Sequence, residues 1–168
     1  MHPIKLLILD VDGVMTRGDL PYDANGNKIK TFYVQDGGAI RSWIKAGNLA
    51  AIISGRTSPA VETRAKDLGI TLVYQKVWDK LPVYESLRKD TGVGDTEIAY
   101  IGDDLLDVPP MRRCGYPIAV ANAVPAAKRA ARYVTRAAGG EGAVLEAITR
   151  LMRYNQKCQK QAEPASSI

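Results

Sequence analysis

The sequence predicts an α/β fold, a three-layer Rossmann-like arrangement with one parallel sheet between helices. Two observations carry that expectation. Six short apolar runs rich in β-branched residues recur along the chain, and segments with helical apolar spacing separate them. A third bounds it: 168 residues suit one domain with a core large enough to need no staples.

The runs are IKLLIL from Ile4, NLAAIIS from Asn48, TLVY from Thr71, EIAYIG from Glu97, YPIAVA from Tyr116 and RYVTR from Arg132. Helices are expected at Gly37–Ala46, Pro59–Leu68, Lys80–Lys89, Leu105–Arg113, Pro125–Ala131 and Gly142–Tyr154. Ser58 before Pro59 reads as a helix start, and Gly47, Gly69 and Gly92 read as stops. Between the first strand and the first helix, YDANGNK is a turn signal with strand-like arms, which predicts a β-hairpin insert over about 16–34. The domain is expected to span 1–155. From Gln156 the chain loses its apolar period, so 156–168 reads as a flexible tail.

Composition narrows the chemistry. The apolar fraction is 46% and the charged fraction 24%, as in ordinary soluble domains. No apolar run reaches the roughly 20 residues of a membrane span. The run at Ile4 to Leu9 ends in acids and lies too near the start for a signal peptide, so a cytoplasmic location without membrane contact is expected. Cys114 and Cys158 lie far apart without metal-ligand spacing and read as free thiols. The single histidine, His2, leaves acid and base work to carboxylates, lysine or tyrosine. A net charge of +5 raises nucleic acid as a partner, but the basic residues are scattered and aromatic content is 7%, so none is expected. Trp43 and Trp78 read as packing residues.

The first strand ends in DVDG, which sets Asp10 and Asp12 where a buried strand surfaces, followed at once by Gly13. In open parallel sheets, loops at the carboxyl ends of the strands share one crevice. That places Asp10 and Asp12 with Ser54, Gly55 and Arg56 after the second strand, Lys80 after the third, and Asp103, Asp104 and Asp107 after the fourth. So many aspartates cannot all ionise together without a cation. An oxygen-only ligand set selects a hard ion such as Mg²⁺. Ser54, Gly55, Gly13 and Lys80 then offer donors and positive charge to a phosphate. Asp10 can attack phosphorus, and Asp12 can exchange the proton. Taken singly, each motif has a plainer reading as a solvated loop, an N-cap or a turn; their order, each after an expected strand, favours chemistry.

With those residues placed, DVDGV, ISGR, DKL and GDDLLD resemble the haloacid dehalogenase superfamily of phosphohydrolases. The resemblance implies Asp10 as nucleophile and Asp12 as acid/base. It implies Ser54 and Lys80 as phosphate anchors, Asp10, Asp12 (through its carbonyl) and Asp103 as Mg²⁺ ligands, and Asp104 and Asp107 in support. The stretches FYVQDGGAIR, ISGRTSPAVETRAKDLGI and YVTRAAGGEGAV are similar to a capless subgroup acting on the sugar-acid phosphate 3-deoxy-D-manno-octulosonate 8-phosphate in lipopolysaccharide synthesis. That likeness implies no separate cap domain and a homotetramer in which the hairpins assemble and the glycine-rich segment closes over a neighbour's site.

The chain departs from that pattern in two places. GGEGAVLE stands where the subgroup has GGRGAVRE, so Glu141 and Leu145 replace two arginines, and KVWDK stands for GQSNK. Arg56, Arg64, Lys76 and Glu141 are the candidate substrate contacts. A phosphatase for a different sugar or nonulosonate phosphate is the alternative. A non-catalytic oligomerising domain and a phospho-acceptor signalling domain are the rivals of other classes.

Overall fold

A computed structural model describes residues 2–162. Six parallel strands form one sheet in the order β3-β2-β1-β4-β5-β6: β1 Leu6–Leu9, β2 Leu49–Ile53, β3 Leu72–Tyr74, β4 Ile98–Gly102, β5 Tyr116–Ala119 and β6 Tyr133–Val134. Six helices connect and cover them: α1 Val34–Lys45, α2 Pro59–Leu68, α3 Lys80–Thr91, α4 Val108–Arg113, α5 Pro125–Ala130 and α6 Ala143–Ala162. Helix α1 packs with α2 and α6, and α4 packs with α3 and α5, so the sheet lies between two helical layers. The Rossmann-like expectation is met.

Strand β1 sits at the centre because its LLIL run is apolar on both faces, and all four side chains are fully buried. Each contributes about 1.5–3 kcal/mol by leaving water. The register sets the site. Leu9 lies opposite Ile52 on β2 and Ile101 on β4, so Asp10 emerges level with the last residues of both neighbours. The order of strands reverses here, with β2 on one side of β1 and β4 on the other, which opens a crevice.

Three local expectations change. The insert pairs its arms through a single antiparallel bridge, Tyr22 with Lys28, around a turn in which Asp23 accepts the Asn25 and Asn27 amides. Leu20, Tyr22 and Ile29 stay exposed on it, so little burial drives a longer ladder within one chain. Helix α1 begins three residues before Gly37, because Asp36 and Gly37 are packed against other elements and that packing outweighs glycine's poor helix propensity. Helix α6 runs on through Gln156 to Ala162 with Cys158 buried, so the segment read as a tail is helical that far. The remainder of that tail, 163–168, lies outside the described residues.

Candidate active site

The position of Asp10 is built by β1. The Asp10 amide donates to the Ile101 carbonyl at 3.0 Å, which continues the sheet one residue past the strand and holds the carboxylate at its mouth. Asp10 as a whole is 6% exposed. From α3, Lys80 reaches under it: Nζ donates to Asp10 Oδ1 at 2.6 Å and to Asp107 Oδ1 at 2.6 Å, and the lysine is itself buried. Helix α3 starts there because Asp79 caps it, accepting the Leu81 amide at 3.3 Å.

Asp107 is fully buried, and its carboxylate is saturated. Oδ1 accepts the Tyr100 hydroxyl at 2.8 Å besides Lys80, and Oδ2 accepts the amides of Asp103 and Asp104 at 3.0 and 3.1 Å. Its work is to fold the loop after β4 and thereby aim Asp103. Asp104 turns to cap the following 3-10 turn, Leu105–Asp107, accepting the Leu105 amide at 2.7 Å.

Asp103 differs from both. Its Oδ1 is buried and has no hydrogen-bond partner. Burial, then the neighbouring Asp10, Asp107 and Asp104 carboxylates, push its pKa up to about 8. Burial and then Asp107 push Asp10 up as well, against the pull of Lys80. Lys80 itself is disfavoured as a cation by burial, yet Asp10 and Asp107 more than restore it and raise its pKa. One lysine does not balance the acids.

Carboxylate oxygens of Asp10, Asp103 and Asp107 lie within 4.8 Å of one another. An orphaned buried acceptor among oxygen donors, without histidine or cysteine, fits a hard divalent cation. Gly13 explains the end of the DVDG motif. A Cβ there would stand 2.0 Å from Asp103 Oδ2, and φ at Gly13 is +94°, so the glycine leaves the room that Asp103 occupies.

Asp12 is held from the insert. Lys30 donates to its Oδ1, and Arg56 Nε lies 4.0 Å from Oδ2. Lys30 was not among the residues singled out from the sequence. Its only sequence signal was a basic residue on an otherwise exposed insert, and the long-range contact that matters crosses 18 positions.

Of the phosphate-loop candidates, Ser54 is buried and its carbonyl accepts the Val77 amide at 3.0 Å, while Gly55 and Arg56 line a cavity beside Asp10. That cavity measures about 120 Å³ and is also lined by Asp10, Asp12, Trp78 and Lys80.

Three other candidates stand elsewhere. Arg64 lies outside the lining of that cavity, with its guanidinium 5.7 Å from the Phe32 ring. Lys76 also lies outside the lining and adopts a left-handed conformation, φ 60°. Glu141 pairs with Arg17 at 3.1 Å on an exposed surface. The glycine-rich segment backs the catalytic loop of its own chain. The Gly140 amide donates to the Val14 carbonyl at 3.0 Å, and a Cβ at Gly139 would lie 1.7 Å from the Gly13 carbonyl oxygen. Asn122 tethers both sides, accepting the Gly139 amide at 2.8 Å and donating to Gly13 at 3.5 Å. Trp43 is the packing residue expected, but Trp78 is 65% exposed.

A parallel sheet with a buried aspartate at its switch point, a lysine beneath it and an acidic cation site beside it defines a carboxylate-based hydrolase of the Rossmann-like class. Residues 69–148 match the haloacid dehalogenase-like hydrolase family. The chain is 44% identical over 149 residues to the 3-deoxy-D-manno-octulosonate 8-phosphate phosphatase of Escherichia coli strain K12, covering 89% of this chain and 79% of that protein. It is 42% identical over 157 residues to the Haemophilus influenzae enzyme of the same name, covering 94% and 87%. The crystal structure of the Yersinia pestis phosphatase superposes with a TM-score of 0.89 at 43% identity, covering 93% of this chain and 84% of that one. The Moraxella catarrhalis phosphatase, solved with magnesium, phosphate and a KDO molecule, gives 0.88 at 36% identity, covering 95% and 94%. The chain belongs to the haloacid dehalogenase-like hydrolases.

Proposed function

We propose that this protein is a Mg²⁺-dependent phosphomonoesterase acting on 3-deoxy-D-manno-octulosonate 8-phosphate in lipopolysaccharide synthesis. The observation that carries the reading is the buried group of Asp10, Lys80, Asp107 and Asp103 at the switch point, with Asp103 Oδ1 left unpartnered. Identities of 42–44% to phosphatases of that name supply the substrate.

Lys80 occupies Asp10 Oδ1 and fixes the carboxylate. The other oxygen attacks phosphorus, forming an aspartyl-phosphate as the ester P–O bond breaks. The Asp12 carboxyl gives its proton to the departing alkoxide. It then takes a proton from water as that water attacks phosphorus, which breaks the Asp10–phosphorus linkage and releases inorganic phosphate. Lys30 and Arg56 position Asp12 for both transfers. The Ser54 hydroxyl, the backbone amides around Gly13 and Gly55, and Lys80 carry the phosphoryl charge. Asp10 and Asp103, with the Asp12 carbonyl, would hold the cation, while Asp107 keeps the Asp103 loop in place and Asp104 caps its turn. When bound, Mg²⁺ supplies neutralisation of the phosphoryl oxygens.

We read the assembly as a homotetramer. Leu20, Tyr22 and Ile29 are exposed on the insert, with Tyr33 and Val34 where it enters α1, and this apolar surface supports contact between copies. A cytoplasmic location accords with two buried, unpaired cysteines and with the absence, among the described residues, of any helix long and apolar enough to cross a membrane.

A panel of phosphorylated sugars and sugar acids, compared by kcat/KM with Mg²⁺ present, tests the reading. The eight-carbon sugar-acid phosphate is expected to lead. Preference for a phosphorylated nonulosonate or a neutral hexose phosphate would move the substrate, and no phosphate release from any ester would remove the enzymatic reading.

A further inference from the structure

The catalytic cavity is too small for a whole substrate. Sites that enclose a small molecule run to about 300–1,000 Å³, whereas this one measures about 120 Å³. It seats a phosphoryl group, and the rest of the ester must lie across the rim. Among the cavity's lining residues, Trp78 is the aromatic one.

A single exposed indole means little by itself. The setting of this one is what counts. Its backbone is pinned on both sides by catalytic elements. The Val77 amide donates to the Ser54 carbonyl at 3.0 Å, and the Lys76 amide donates to the Arg56 carbonyl at 3.4 Å. Immediately after it come Asp79, the cap of α3, and Lys80, bonded to Asp10. The turn that delivers it passes through Lys76 at φ 60°, a conformation that costs a lysine energy and that glycine would adopt freely. The outcome is an aromatic side chain on a pinned backbone, 65% exposed, lining the same cavity as Leu106, which lies across Gly55.

We propose that Trp78 is the platform for the leaving group, packing its indole face against the C–H face of a carbohydrate while the phosphoryl group enters the cavity. The proposal rests on the phosphomonoesterase reading above and adds to it a residue that selects for a sugar over a small ester. An aromatic face is preorganised for this contact, since only two side-chain torsions need to be fixed.

The test compares wild type with Trp78→Ala and Trp78→Phe on 3-deoxy-D-manno-octulosonate 8-phosphate and on acetyl phosphate, whose leaving group has no ring. Trp78→Ala is expected to lower kcat/KM for the sugar-acid phosphate about five- to tenfold, chiefly through KM, as loss of one aromatic contact implies. Acetyl phosphate hydrolysis should stay within about twofold, and Trp78→Phe should recover most of the loss. The free sugar acid should also quench wild-type tryptophan emission but not that of Trp78→Ala, because Trp43 is fully buried.

Equal effects on both substrates, no quenching, or a change in sedimentation of Trp78→Ala that marks the indole as a contact between copies would each overturn the proposal. If the wild type prefers another phosphorylated sugar, the substrate reading fails by itself, and the same comparison on that ester decides the role of Trp78.

Discussion

Lys80 Nζ stands 2.6 Å from Asp107 Oδ1, and the same carboxylate also takes the Tyr100 hydroxyl and two backbone amides. An anion with that many donors is a structural keystone. Replacing Asp107 by Ala leaves a buried ammonium, a hydroxyl and two amides short of a partner. The expected cost is about 3–5 kcal/mol, read as a lower urea midpoint. Asp107→Asn keeps one acceptor and should cost less.

Asp10→Asn removes the carboxylate proposed to attack phosphorus while preserving shape. Turnover is expected to fall by about 10³ or more, with an unchanged far-ultraviolet circular dichroism spectrum. Full activity in the purified Asn variant would remove the covalent route.

Gly13→Ala should both destabilise the fold and abolish activity, because the new methyl meets Asp103 Oδ2 at 2.0 Å where φ is +94°. Gly26→Ala is the control: φ there is +79°, and nothing lies within 4 Å of the added carbon. The control should cost about 1 kcal/mol from backbone strain alone. The excess at Gly13 then measures the crowding around Asp103.

Removing divalent cations should stop hydrolysis, and Mg²⁺ should restore it and raise the melting temperature, since a ligand that binds only the native state stabilises it. Asp103→Asn should lose most of that Mg²⁺-dependent rise. A chelator-insensitive rate would place the chemistry elsewhere.

Glu146 gives a pH dependence far from the site. Burial opposes its ionisation, yet the Tyr133 hydroxyl at 2.5 Å and the amides of Ala137 and Arg136 hold its pKa below the ordinary 4.5. A depressed carboxylate contributes stability above the unfolded value, and that stability is lost as pH falls through the folded one. The stability gap between wild type and Glu146→Gln should therefore be steady near neutrality, about 1 kcal/mol, and should close below pH 4.5.

The strands were legible because a centre strand buried on both faces has to be apolar throughout, as Leu6 to Leu9 are. Their order along the chain then sent Asp10, Ser54, Lys80 and Asp103 to one end of the sheet. Side-chain partnerships were less legible. Asp104 and Asp107 look alike in GDDLLD, and only the fold shows that one caps a turn while the other is saturated and bridged to Asp10 by Lys80. Lys30 was hidden because its contact with Asp12 depends on how the insert curls back. The last helix was legible as far as Tyr154; its continuation was not, because among the described residues the final turns bury Cys158 alone, too sparse a pattern to read as a period.

The seat of Gly139 and Gly140 on the loop behind Asp12 links two ends of the molecule mechanically. Those glycines lead directly into α6, so the start of the last helix and the loop that carries Asp12 rest on one another. A side chain larger than hydrogen at Gly139 would part the two, since its first carbon already meets the Gly13 carbonyl.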